Sequence, residues 1–103
     1  MGTSGASFGA PATIPVGNNP TAVVAEDFNN EGKLDLTVTN FAGGTITLLL
    51  GNGDETFIQA PGSPYAVEHG PYQIAAADLN GNGRLDLAVA NLTDGTVSIL
   101  LQQ

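Results

Sequence analysis

One internal repeat restricts the possible folds of this chain more than any other feature of its sequence. Residues 27–36 (DFNNEGKLDL) align with residues 78–87 (DLNGNGRLDL) at a shift of 51 positions, and the same shift carries Asn40 onto Asn91. The match extends along most of the chain, which has 103 residues. A repeat of this period predicts two similar supersecondary units that stack against each other and share a core.

Each unit has the pattern of β-structure. The first strand of each unit is apolar almost throughout, which predicts burial on both faces, and the second alternates with period two. Turns that contain glycine separate the strands, and the chain has 14 Gly and 6 Pro, more typical of short strands than of long helices. The predicted strands are 21–25, 34–39 and 45–50 in the first unit and 72–76, 85–90 and 96–101 in the second.

A fourth strand completes only the first unit. Residues 56–67 contain proline, which favours an edge strand. Nothing similar follows the third strand of the second unit, whereas residues 8–16 resemble residues 57–67. A four-stranded antiparallel meander of this size is typical of a propeller blade. We therefore predict an all-β fold with two four-stranded antiparallel β-propeller blades per chain.

This interpretation divides the chain into four parts. Residues 1–7 are expected to be a flexible leader, and residues 8–20 an outer strand donated to a neighbouring blade. Blade 1 is expected over 21–67, and blade 2, without its own outer strand, over 68–103.

Composition excludes several classes of partner. Ten Asp and Glu against two Lys and Arg give a net charge of -8, which would repel nucleic acid and anionic membranes and would attract cations. There is no cysteine, so neither disulfides nor thiolate metal sites can form. No apolar stretch approaches the roughly 20 residues of a membrane-spanning helix. The first seven residues lack the features of a signal peptide, so they do not indicate a compartment.

The loop between the first and second strands of each unit has the spacing D-x-N-x-[EN]-G-x-x-D. Side chains at positions 1, 3 and 5 of such a turn point to a common centre, position 7 adds a carbonyl, and glycine at position 6 permits the bend. Oxygen ligands of this kind favour Ca²⁺, about one ion per blade and two per chain. The predicted ligands are Asp27, Asn29, Glu31, the Lys33 carbonyl and Asp35 in the first loop, and Asp78, Asn80, Asn82, the Arg84 carbonyl and Asp86 in the second.

Two other kinds of loop have a similar spacing. An EF-hand would need Glu at position 12, where the sequence has Val38 and Val89. An Asx turn, in which the side chains cap their own backbone, needs only one or two of the oxygens. The recurrence of the whole pattern in both units favours a metal site.

The acidic loops, together with the run Gly51-Asn52-Gly53-Asp54 after the third strand, resemble the FG-GAP (VCBS-type) repeat of integrin α-chain-like β-propellers. The resemblance covers roughly residues 8–103. It implies calcium in the hairpin loop of each blade, held by the ten positions above. It also implies an extracellular or secreted module for adhesion, glycan binding or attachment to an enzyme.

Two blades cannot close a ring, because propellers typically have four to eight. We expect the chain to bind copies of itself head to tail, with residues 8–16 of one copy completing the second blade of the next. Three copies, giving six blades, are preferred, and four copies come next.

The sequence therefore favours a non-enzymatic calcium-binding scaffold or interaction module. A carbohydrate-binding, lectin-like propeller is the alternative, with Tyr65, His69 and Tyr72 as candidate contacts. A protein ligand stays open as well. Catalysis is the weakest interpretation, because His69 has no cysteine in the chain to pair with and no recurring serine or aspartate beside it to form a nucleophile and base.

Overall fold

The computed structural model describes residues 13–53 and 56–102, and these form two antiparallel β-sheets. Residues 1–12, and with them the predicted leader and most of the predicted donated strand, lie outside the described residues. The strands are β1 (Pro20–Glu26), β2 (Asp35–Asn40), β3 (Thr45–Gly51), β4 (Phe57–Gln59), β5 (Tyr65–Ala66), β6 (Pro71–Ala77), β7 (Asp86–Asn91) and β8 (Thr96–Leu100). The described part of the chain contains no helix, and so none that could span a membrane.

The first sheet has the order β1-β2-β3-β4, and β5 also pairs with β3. Between β4 and β5 the chain follows the edge of β3, where the Ala60 N–H donates to the Leu48 carbonyl and the Leu48 N–H donates to Ser63 Oγ, both at 2.9 Å. The second sheet has the order β6-β7-β8. An outer strand is therefore described for the first blade, and none is described for the second.

The sequence repeat is also a repeat of strand register. Pro20 pairs with Asn40, and Pro71 pairs with Asn91 at the same place in the second sheet. Each of these pairings is followed by a register shift, between Pro20 and Ala22 and between Pro71 and Gln73. The two blades therefore share their irregularities as well as their strands.

A buried asparagine stabilises the same hairpin in each blade. Asn40 Nδ2 donates to Thr45 Oγ1 at 3.2 Å and to Thr47 Oγ1 at 2.9 Å. Asn91 Nδ2 makes the same two bonds, at the same distances, to Thr96 Oγ1 and Ser98 Oγ. The hydroxyls at the recurring positions accept from an amide NH2 group that would otherwise be buried without acceptors, and Asn91 Oδ1 makes no described hydrogen bond.

The blades stack through their innermost strands. Thr21 Oγ1 donates to the Tyr72 carbonyl at 3.1 Å and to the Pro71 carbonyl at 3.2 Å, which places β1 beside β6. One face of the first sheet, carrying Ile46 and Leu48, is turned toward the second blade, and Ile46 is fully buried.

The prediction that the first strands are buried on both faces was wrong for this chain. Exposed and half-buried residues alternate along most of β1 and β6, and the Val23 side chain is 61% exposed. Each of these strands is covered by the neighbouring blade on one face only.

The blade interface contains one buried hydroxyl for which the described residues supply no partner. Thr37 is fully buried, and its Oγ1 makes no described hydrogen bond. Thr39, two residues along β2, shares a 2.9 Å bond with Thr21 Oγ1 and lies 3.3 Å from the Ala22 carbonyl.

We expect Thr37→Val to raise the free energy of unfolding by about 1 kcal/mol, because it removes an unsatisfied polar atom at nearly constant volume. The matched change Thr39→Val should lower it by about 1 kcal/mol, because it breaks existing hydrogen bonds. Urea unfolding measures both changes. Equal effects of the two substitutions would contradict this account.

Candidate metal centre

The first acidic loop is a turn closed by the side chain at its first position. Asp27 Oδ1 accepts from the Glu31 N–H at 3.1 Å, and Asp27 Oδ2 accepts from the Gly32 N–H at 2.7 Å. Gly32 has φ of 83°, which glycine adopts without steric cost. Asn29 Nδ2 donates to Glu31 Oε1 at 3.2 Å, so these two predicted ligands lie next to each other.

The second loop has the same design with additional bonds. Asp78 Oδ1 accepts from the N–H groups of Gly81 and Asn82, at 2.8 and 3.1 Å, and Oδ2 accepts from the Gly83 N–H at 2.8 Å. Asn82 Oδ1 accepts from the Arg84 N–H at 3.0 Å. The first-position aspartate thus organises the backbone of both loops.

These donors lower the pKa of Asp78 below its ordinary value of 3.8, with the Gly83 N–H as the largest cause and desolvation opposing it. Folding therefore favours the ionised carboxylate. This contribution to stability is present above the ordinary pKa and is lost as the pH falls through the lowered one. A carboxylate that stays ionised is also the form that binds a cation.

The aspartate at position 9 lies in the base of each loop. Asp35 is 1% exposed; its Oδ2 accepts from the Phe28 N–H at 3.1 Å, and its Oδ1 accepts from the Gly51 N–H at 2.9 Å. Asp86 makes the same bonds with the N–H groups of Leu79 and Gln102. This structural role, which joins the loop to the end of the third strand, was not predicted from the sequence.

The donor set of the loops fits a hard divalent cation in its chemistry. Every side chain at positions 1, 3, 5 and 9 offers oxygen, and each carboxylate oxygen of Asp27 accepts only one described bond out of the two that it can accept. Among the described residues, no group of three or more acidic or histidine side chains is close enough to hold a metal ion. An ion here would therefore depend on amide and carbonyl oxygens as well as carboxylates, and the ten ligands stay a prediction.

The three candidate glycan contacts each have a partner within the chain. The Tyr65 hydroxyl donates to the Pro61 carbonyl at 3.2 Å, and the Tyr72 ring packs edge-on against Phe41 with centroids 6.3 Å apart. His69 Nδ1 lies 2.9 Å from Asp94 Oδ2, which also accepts from the His69 N–H at 2.9 Å. These bonds, the backbone one first, lower the pKa of Asp94. The glycan-binding alternative stays a prediction.

A cleft between the blades was not anticipated from the sequence. It has a volume of about 600 Å³ and is mostly apolar, with Leu48 and Leu50 of the first blade opposite Leu87 and Leu100 of the second. Because these residues occur in ordinary strand patterns, only the three-dimensional stacking of the blades could reveal it.

Comparisons with known proteins agree with the architecture. Searches of the curated proteins and of the solved structures each find no match. The family model described as "FG-GAP-like repeat" matches residues 27–89, which begin at the first acidic loop and end in β7 of the second blade. The chain therefore belongs to the FG-GAP-like repeat family.

Proposed function

We propose that this protein is a non-enzymatic, calcium-binding β-propeller module that serves as a scaffold or interaction surface. The supporting observation is the recurrence of one oxygen-lined loop at the same place in both blades, between β1 and β2 and between β6 and β7. In both loops the first-position aspartate accepts hydrogen bonds from the backbone of its own turn. In the first loop each carboxylate oxygen of Asp27 accepts one described bond out of the two that it can accept.

The charge of the protein supports a cation as the ligand. The predicted ligands carry three carboxylates in the first loop and two in the second, and the chain has a net charge of -8. A bound Ca²⁺ would supply the positive charge that offsets repulsion among these groups. Because the ion would bind the folded loop and not the unfolded chain, it would stabilise the fold by about 2.7 kcal/mol at a concentration 100 times its dissociation constant.

Calcium titration with thermal unfolding tests this proposal. We expect two ions to bind per chain by calorimetry and the melting temperature to rise by several degrees in millimolar Ca²⁺, with reversal by a chelator. Asp78→Asn should remove binding at the second loop, because it deletes one of only two carboxylates there.

Asp94→Asn is the matched control. It changes a carboxylate that also accepts a backbone hydrogen bond but lies outside both loops, and it should leave the binding of both ions intact. If calorimetry detected no calcium binding to the unaltered chain, the loops would be ordinary Asx turns.

We further propose that copies of the chain assemble head to tail into a closed ring. The edge of β3 pairs with β4 and β5, whereas the equivalent edge of β8 pairs with no described strand. Residues 8–16 of a second copy are the proposed outer strand for that edge. Three copies would give six blades, with four copies as the next choice, and native mass spectrometry measures the number directly.

A further inference from the structure

The second blade has one apolar face that no described residue covers. Val97 is 64% exposed and Ile99 is 53% exposed, and they pair with Ala90 and Ala88 on the same face of the sheet. We name this surface, defined by Ala88, Ala90, Val97 and Ile99, the trailing face. Exposed apolar side chains that are contiguous in this way are typical of a binding surface.

The same positions are covered in the first blade. A shift of 51 residues carries Val97 onto Ile46, which is fully buried, and Ile99 onto Leu48, which lines the cleft between the blades. Leu79 of the second loop is also exposed, whereas its equivalent Phe28 is 5% exposed. Phe28 and Leu48 line the cleft whose other wall is formed by Leu85, Leu87 and Leu100 of the second blade.

At the four positions that define the trailing face, the exposed copy carries fewer polar groups than the buried copy. Thr37 and Thr39 of the first blade correspond to Ala88 and Ala90 on the trailing face, so two side chains with buried hydroxyls are replaced by the small apolar side chain of alanine. A surface kept for contact with water would favour the opposite change. The four positions of the trailing face are therefore all apolar, and Gln73 lies beside them where the first blade has Ala22.

The chain carries the complementary surface at its other end. The second blade contacts the first through a face that includes Ile74, Ala76 and Leu87. The shift of 51 residues carries these onto Val23, Ala25 and Leu36 of the first blade. We name this second surface the leading face; its Val23 and Ala25 are exposed, whereas Val38 and Leu49 on the same face are buried within the chain.

We propose that the trailing face of one molecule binds the leading face of a second copy, repeating the contact that already joins the two blades within the chain. This inference rests on the head-to-tail assembly proposed above and adds the surface that carries it. It differs from strand donation, which uses the edge of β8 and not its face. Because the two surfaces are different, the contact is heterologous and can continue until a ring closes.

Two charge-introducing variants test the pairing of the faces. Ile99→Lys places a cation on the trailing face, and Val23→Lys places one on the leading face, where it would be desolvated without a partner. Both side chains are more than half exposed in the single chain, so the variants should fold. We expect each variant alone to be a monomer by light scattering in calcium, while the unaltered chain forms a multimer.

Mixing the two variants gives the sharpest result. An equimolar mixture retains one intact trailing face and one intact leading face, so it should form a dimer and nothing larger. Ala42→Lys, which adds the same charge in the exposed first hairpin turn, is the control and should leave the multimer unchanged.

Each other outcome overturns the proposal. A monomeric unaltered chain would mean that something other than a second copy covers the trailing face. Variants that keep the full multimer would mean that strand donation alone holds the copies together. Loss of assembly with Ile99→Lys but not with Val23→Lys would indicate that two trailing faces bind each other.

Failure of calcium binding would be detected separately by calorimetry. The mass of the mixture measured without calcium would still show whether the two faces bind each other.

Discussion

Replacing Asp35 by alanine is expected to lower the free energy of unfolding by about 3 kcal/mol, measured by urea denaturation in the presence of a chelator. The substitution removes both oxygens from a buried site and leaves the Phe28 and Gly51 N–H groups without acceptors. An unsatisfied buried donor costs about 1–3 kcal/mol, and two are created here. The chelator ensures that the measured loss comes from these hydrogen bonds and not from a lost calcium ligand.

Two further variants separate the hydrogen bonds from other effects. Asp35→Asn keeps the shape and one acceptor oxygen but turns an amide group toward one of the two N–H donors, so its effect should be smaller than that of alanine yet still destabilising. Asp86→Ala repeats the experiment in the second blade, where Leu79 and Gln102 are the donors. If Asp35→Ala changed the stability by less than 1 kcal/mol, the carboxylate would not be the link between the loop and β3.

Replacing Gly70 by alanine is the other large expected effect, with a loss of about 3 kcal/mol in the free energy of unfolding. Gly70 has φ of 73°, a region that disfavours any side chain. A Cβ atom there would also lie 2.8 Å from the backbone nitrogen of Thr93 and would collide with the Thr93 hydroxyl. Because one neighbour is backbone, the hairpin turn of the second blade would have to move.

Gly95→Ala is the matched control for this prediction. Gly95 has φ of 68°, close to that of Gly70, but a Cβ atom at this position meets nothing within 4 Å. Its substitution should cost only the conformational penalty, about 1 kcal/mol. Similar losses for the two alanine variants would show that the contact with Thr93 does not matter.

The first three strands of each blade could be predicted closely because similar sequences recur in the two units. The predicted strand 45–50 is found as Thr45–Gly51, and the predicted strand 72–76 as Pro71–Ala77. Glycine in the turns fixed where the strands end, and the repeat removed the ambiguity that a single short apolar run would have had.

The features that could not be predicted from the sequence depend on contacts between residues that are far apart along the chain. The segment 56–67 was predicted as one loose strand, but it forms Phe57–Gln59 and Tyr65–Ala66 with a connection along β3. Asp35 was predicted as a metal ligand, and its bond to Gly51 joins residues 16 positions apart. Local spacing identifies an oxygen but not the donor that reaches it from another strand.

Because the two sheets share the same strand register, each experiment on one blade has an internal reference in the other. Asp35 and Asp86, or Asn40 and Asn91, occupy equivalent positions in one polypeptide and experience the same buffer, temperature and expression history. Any difference between the two members of such a pair therefore measures their surroundings and not the side chain itself. A substitution in one blade can therefore be compared with the equivalent substitution in the other blade of the same protein.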